Sequence, residues 1–294
     1  MRLLLGLAVL GAAMTAWPAA AEESGMAPSG DEIVVEGKRI DKKEIDQFVG
    51  ALVNTPGYGQ IGRYEFEVCP VAVGLQPHQT DAIAKRIRAV AAAAGAPVAK
   101  AGCRPNLLVL ITVNPDEFVA ALRKKHPGFF RDPIDQPVDI IRSGPTLAWH
   151  VEGRLDQDGL PATVVEGGAS SYYSSSSMIP SRLVPATRPH FLAGILVLSV
   201  ESLRGLSTTQ VADYATMRLL ARTDPARLAS STTPTILTVI DAPQDSLVPT
   251  TLTNWDLSYL KALYGSIENR YAGSQRGHMQ RLMRDDLLGS KPQN

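Results

Sequence analysis

The chain lacks an excess of either charge, because 29 Lys and Arg balance 29 Asp and Glu. No global field draws in nucleic acid or anionic lipid, and electrostatics names no partner. Cysteine is scarce: Cys69 and Cys103 are the two, without CxxC spacing, which removes the usual dithiol motif. The five histidines, His78, His126, His150, His190 and His278, include no pair at metal-ligand spacing. There is no GxSxG, no SxxK, no P-loop and no helix-opening GxGxxG. Every named catalytic signature of those kinds is thereby removed, although a site assembled in three dimensions is not. Beyond the first residues no window approaches the roughly 18 apolar positions of a transmembrane helix, so no membrane span is expected in the mature chain.

What is present begins with an export signal. Met1-Arg2 is a short positive region, residues 3–13 are apolar, and Ala19-Ala20-Ala21 is a small-residue cleavage site before Glu22-Glu23. Cleavage after Ala21 is expected, with a retained anchor as the alternative, and no Cys follows the apolar run to mark a lipoprotein. The mature chain would be periplasmic or secreted. About 270 residues then remain, within the range of one α/β domain with excursions. Hydrophobic content of 45% and charged content of 20% allow a sizeable core.

In a chain that reaches an oxidising compartment, an even cysteine count reads as a bridge, here Cys69 to Cys103; two free thiols or a catalytic pair are the alternatives. Residues 22–60 read as an N-terminal arm with a helix over 41–53, its Ile45, Phe48, Val49 and Leu52 on one stripe. From 64 to 113 the pattern is strand, helix, strand, with 107–113 expected parallel to 64–69. A helix opens at Pro115, with Asp116 and Glu117 in its first turn and Arg123, Lys124, Lys125 and His126 in its last. Residues 146–152 form a plausible strand that places His150 and Glu152 on one face. With Asp156 these could gather a metal. SSYYSSSS at 170–177 suits an exposed mobile loop or an adaptable contact surface. An amphipathic helix within 266–294 ends the chain before a polar tail.

The stretch 191–264 organises the rest. FLAGILVLSV at 191–200 is apolar enough for a strand buried on both faces. A turn at Leu203-Arg204-Gly205 follows, and Ser207-Thr208-Thr209 caps a helix over 209–222. A short apolar piece at 236–241 precedes a second helix at 252–265. This order resembles the active-site half of zincin metallopeptidases, and the segments around Cys69-Pro70 to Gly74-Leu75, 102–107 and 210–218 are similar to secreted alpha-proteobacterial proteins. The run 31–40 resembles a piece near the mature N-terminus of TonB-dependent receptors, which would imply a TonB contact.

The zincin resemblance implies a fold class: α/β (α+β), a mixed β-sheet with packed helices, disulfide-bridged, as one domain over 61–265. It also assigns the places where HExxH would stand. Asp213 and Met217 occupy the two histidine positions and Tyr214 the glutamate position, so these are degenerate metal-site positions with no metal or cofactor implied. On this reading the chain is an exported, non-catalytic binding module whose partner would be another envelope protein or a peptide. The alternative is a hydrolase built from Asp213, Asp256 and residues of 146–190. If Asp213 is buried it needs a donor, for which Arg204, Arg218 and Arg222 are the candidates.

Overall fold

The computed structural model describes residues 40–289 except 54, 56–58, 169, 175–180, 182, 230 and 244–245. The signal segment, most of the arm with its 31–39 run, and the tail beyond 289 therefore lie outside the described residues. From Ile40 onward the chain is one compact unit.

Helix α1, Lys42–Leu52, starts where the Asp41 side chain and Glu44 form a reciprocal capping box, and it buries Ile45, Phe48, Val49 and Leu52, the expected stripe. Strand β1, Pro70–Val73, is followed by α2, Pro77–Ala93, which brings the chain back to β2, Leu107–Thr112. These two strands pair in parallel, as the crossover length requires. The ladder begins later than expected. Within residues 64–69 only Val68 bridges, to Val98, with Arg63 just before them bridging His190; Tyr64 and Val68 turn inward and Phe66 between them stays 49% exposed. Pro70, lacking an N–H, then opens an edge strand, where that loss costs nothing.

Helix α3, Pro115–Lys125, is capped by the Asn114 side chain and carries the acid-to-base order its dipole favours. Strands β3, Ile141–Ser143, and β4, Thr146–Leu155, form a hairpin. Strands β5, Thr163–Gly167, and β6, Ser170–Ser174, form another. The first half of the Ser/Tyr-rich run is thus a strand and not a loop. Tyr172 and Tyr173 pair across from Val165 and Val164, and aromatic to β-branched pairs stabilise such ribbons. The rest of the run lies outside the described residues.

Strand β7, Arg188–Ser199, lies at the centre of a five-stranded mixed sheet of order β1-β2-β7-β4-β3, parallel to β2 and antiparallel to β4. Alternate residues face opposite layers. Leu196 and Leu198 join the core under α2 and helix α4, Thr208–Leu220, whereas Ile195 and Val197 join Trp149 and Leu147 under α3. A bulge opposite Val151 and Glu152 inserts one extra residue in β7 and reverses its phase, so Phe191 falls on the α4 side with Leu196. Helices α5, Asn254–Tyr264, and α6, Ala272–Leu288, complete the helical side with α1. Phe48 of α1 meets the rings of Trp255 and Tyr259 edge-on at 5.4 and 6.1 Å.

A buried arginine ties the ends of this assembly together. Arg63 donates to the carbonyls of Leu263, Tyr264 and Ser266, the end of α5, and pairs with Glu65 and Glu268 at 2.9 Å each. Such a cation satisfies carbonyls that the helix leaves open. The bridge between Cys69 and Cys103 is formed, with Cα atoms 6.0 Å apart. Among the described residues no helix is long and apolar enough to cross a membrane.

The turn after β1 depends on one glycine. Gly74 has φ +102°, and a Cβ there would lie 1.9 Å from the carbonyl oxygen of Ile111 on β2. Gly74→Ala should therefore cost more than the left-handed strain of about 1–2 kcal/mol alone. Urea unfolding should show a loss of about 2–4 kcal/mol with an unchanged slope; a loss below about 1 kcal/mol would mean that β1 simply shifts along β2.

Candidate functional site

Helix α4 carries the three positions singled out by sequence, and every residue from Gln210 to Leu220 is buried. Ser207 caps its first turn and Gln210 reaches back to the Ser207 amide. It lies against β7 and β4, as the apolar run at 191–200 requires, with α2 beside it on the same face of the sheet and α5 and the 3-10 turn Ile236–Thr238 also packed against it.

Asp213 is fully enclosed. Its carboxylate accepts from Arg86 Nε at 2.7 Å, Arg86 Nη2 at 3.0 Å, Thr251 Oγ1 at 2.7 Å and the Leu252 amide at 2.7 Å. The bond to Asp213 raises the Arg86 guanidinium above its ordinary value. None of the three donors expected from sequence serves. Arg204 pairs with Glu201 on the surface, Arg222 bridges Glu152 and Asp139, and Arg218 turns to the other side of the helix. The signal that could have found Arg86 is its place on α2, three residues after Ile83 and four before Val90, on the border of the buried stripe.

Tyr214 and Met217 are fully buried as well. The Tyr214 hydroxyl receives a bond from Arg218 Nη1 at 2.7 Å and lies 3.0 Å from Thr146 Oγ1. Burial pushes its phenol up, so it stays protonated. Arg218 also donates to the Thr146 hydroxyl and to the Ile141 carbonyl, each at 3.0 Å. Asp256, the acid of the hydrolase alternative, is the N3 residue of the α5 capping box. Its oxygens accept from the hydroxyls of Thr235 and Thr253 and from the Ile236 and Thr253 amides, while burial raises its carboxyl. Both acids are saturated and closed off, and neither offers a free oxygen to a substrate.

His150 and Glu152 do share the face of β4 toward α4, but they are not gathered with Asp156. His150 Nε2 is 2.9 Å from the Leu219 carbonyl and its ring stacks on Phe191 at 4.0 Å, Glu152 is held by Arg222, and Asp156 closes the Asp156–Leu160 turn. Among the described residues no cluster of three His, Cys, Asp or Glu forms.

An open concavity lies elsewhere. A cleft of about 700 Å³ sits past the carboxyl end of β7, between the 201–206 turn and residues 239, 240, 242, 243, 246 and 248. Leu206, Val239, Ile240 and Val248 give it an apolar floor, and Arg204 and Glu201, paired at 2.8 Å, stand on its rim. Sequence reading missed it because its walls come from two loops. Its lining comes from the turn after β7 and from residues 239, 240, 242, 243, 246 and 248, on the α4 side of the sheet.

Two measurements follow from the buried groups. Asp213 is enclosed while Arg86 keeps 38% of its side chain exposed, so it is loss of the cation that strands a buried charge: Arg86→Met should cost about 3–5 kcal/mol, Asp213→Asn should cost less, and the double replacement of Asp213 by Leu and Arg86 by Met should recover part of the larger loss. A strictly additive double-mutant cycle by urea unfolding would refute the coupling. Burial also lowers His150 to about 3 and His190 to about 4, both neutral in the fold. The unfolded chain binds those protons near pH 6.5, so stability is complete above that value and falls as pH drops toward 4, by up to about 1.4 kcal/mol per pH unit for each histidine. Asp256, raised by burial, acts with the opposite sign. His150→Gln should flatten the slope between about pH 6 and 4; an unchanged slope would show that His150 does not contribute. Neither a family model, nor a curated protein, nor a solved structure matches this chain.

Proposed function

We propose that the chain is an exported, non-catalytic α/β scaffold that binds a peptide or a segment of another envelope protein, on a zincin-like order of elements whose metal positions hold Asp213, Tyr214 and Met217. One observation carries the reading: the helix bearing those positions is buried from Gln210 to Leu220, with Asp213 saturated by four donors. A catalytic zinc needs an open coordination position for water. A thioether, a protonated phenol and a carboxylate locked on Arg86 supply neither ligands nor opening. The order strand, turn, helix, second helix supports the zincin-like scaffold, and the bridge between Cys69 and Cys103 supports an oxidising compartment. The cleft past β7 supports binding: its volume suits a short peptide, with an apolar floor for one side chain and a mixed-charge rim for the backbone around it.

Elemental analysis of the purified mature protein should find less than about a tenth of a zinc per chain, and added zinc should leave its melting temperature unchanged. One zinc per chain, lost with stability on chelation, would overturn the reading. For the cleft, peptides selected from a random library on the immobilised protein should lose binding to Ser246→Trp, which fills the cleft from an exposed position. Binding indifferent to that change would place the surface elsewhere.

A further inference from the structure

Arg88 on α2 reaches the disulfide and not an acid. Its Nη2 lies 3.2 Å from Cys103 Sγ and 3.7 Å from Cys69 Sγ, and its Nη1 is held by the Ala99 carbonyl at 2.6 Å. Among the described residues it has no carboxylate partner. A disulfide sulfur is a weak acceptor, so the cation gains little while the bridge is closed. A thiolate at the same place gains a charge-assisted bond. The placement therefore favours the reduced, ionised state over the state in which it is found, the preference that makes a dithiol pair readily reducible.

Access and fold integrity agree with this. Cys69 is 3% exposed, whereas Cys103 is partly exposed on a turn whose other residues, 101, 102, 104 and 105, face solvent. The bridge is also not the sole tie between its two ends. β1 pairs with β2 over Pro70–Val73, the Cys69 amide donates to Asn106 Oδ1 at 2.7 Å, and Asn106 Nδ2 donates to the Glu67 carbonyl at 3.1 Å. Opening the sulfurs would leave the sheet paired, and Ala99, whose amide donates to the Val68 carbonyl at 3.1 Å, would still hold Arg88 in place.

We propose that the Cys69–Cys103 bridge is a thiol–disulfide exchange site, entered at Cys103 by a dithiol reductant, with Arg88 as the cation that stabilises the released thiolates. The reductant's thiolate attacks Cys103 Sγ, forming a mixed disulfide and leaving the electron pair of the broken bond on Cys69 Sγ. The reductant's second thiol, deprotonated, then attacks its own sulfur in the mixed disulfide and frees Cys103 Sγ as a thiolate. The bridge gains two electrons and the dithiol becomes a disulfide, its two protons passing to solvent or to the two cysteines. Besides Arg88, the charged residues nearest the two cysteines in sequence are Lys100 and Arg104 on the turn and Glu67 on the segment before Cys69, all exposed. Cations outnumber the acid, so the surroundings do not oppose Arg88. This inference stands apart from the cleft and from the scaffold reading.

The test uses the folded mature protein, dithiothreitol as the dithiol, and iodoacetamide alkylation of the reduced protein across about pH 5–10. Reduction should proceed with the far-UV circular dichroism unchanged. The alkylation midpoint of Cys103 should lie at least about one pH unit below the ordinary thiol value of about 8.5. Arg88→Gln should move that midpoint up by about a unit, and Arg88→Lys should keep most of the depression. Thiols that appear only as the dichroism is lost, or a midpoint that Arg88→Gln leaves in place, would overturn the proposal. Should Arg88→Gln fail to fold, the wild-type midpoint decides alone: at about 8.5 or above the proposal fails.

Discussion

The rest of this structure depends on the complete burial of α4 together with the two opposite charges it carries. A helix sandwiched between a sheet and other helices is ordinarily apolar all round. This one has Asp213 and Arg218 at zero exposure. An unpaired ion there would cost several kcal/mol, so each must be met by fixed partners from the neighbouring layers. Asp213 is met by α2 and by the strap at Thr251 and Leu252, Arg218 by the β3–β4 hairpin and by Tyr214. Both layers are thereby fixed to one helix.

The sheet around α4 follows from the same constraint. β7 must be apolar on both faces because α4 lies on one side and α3 on the other. Its bulge opposite Val151 and Glu152 turns Phe191 under His150 and brings the start of the strand to Arg63 and the end of α5. At the other end of the strand the helices after β2 and β7 leave to opposite faces, α3 over Ile195 and Val197 and α4 over Leu196 and Leu198.

Much of this was legible in the sequence. The two-faced burial of 191–200, the α1 stripe, the parallel return through α2 and the cysteine pair all rest on local periodicity or on chemistry that two residues decide. What was not legible depends on which elements meet. Arg204, Arg218 and Arg222 are near Asp213 in sequence, yet the donor comes from residue 86, because helix packing and not chain proximity decides which side chain faces a buried acid. The alternation at 64–69 was real, but Val68 pairs with Val98 and the ladder with β2 starts only at Pro70. At 170–174 polar composition suggested a loop, and the cross-strand partners that make it a strand, Val164 and Val165, stand several residues away. The cleft had no sequence signal because its floor is shared between two loops.

The two buried charges also bear on what kind of protein this is. Asp213 and Arg218 are five residues apart, which at about 100° per residue puts them about 140° apart around the helix. They cannot pair with each other, and each meets a different layer. Any rotation of α4 about its axis would break both sets of bonds at once, so the charges specify a single orientation where apolar packing alone would tolerate several. A hydrolytic helix has the opposite requirement, since it must leave polar groups unspent and facing an opening. In α4 the polar groups are consumed in fixing its position.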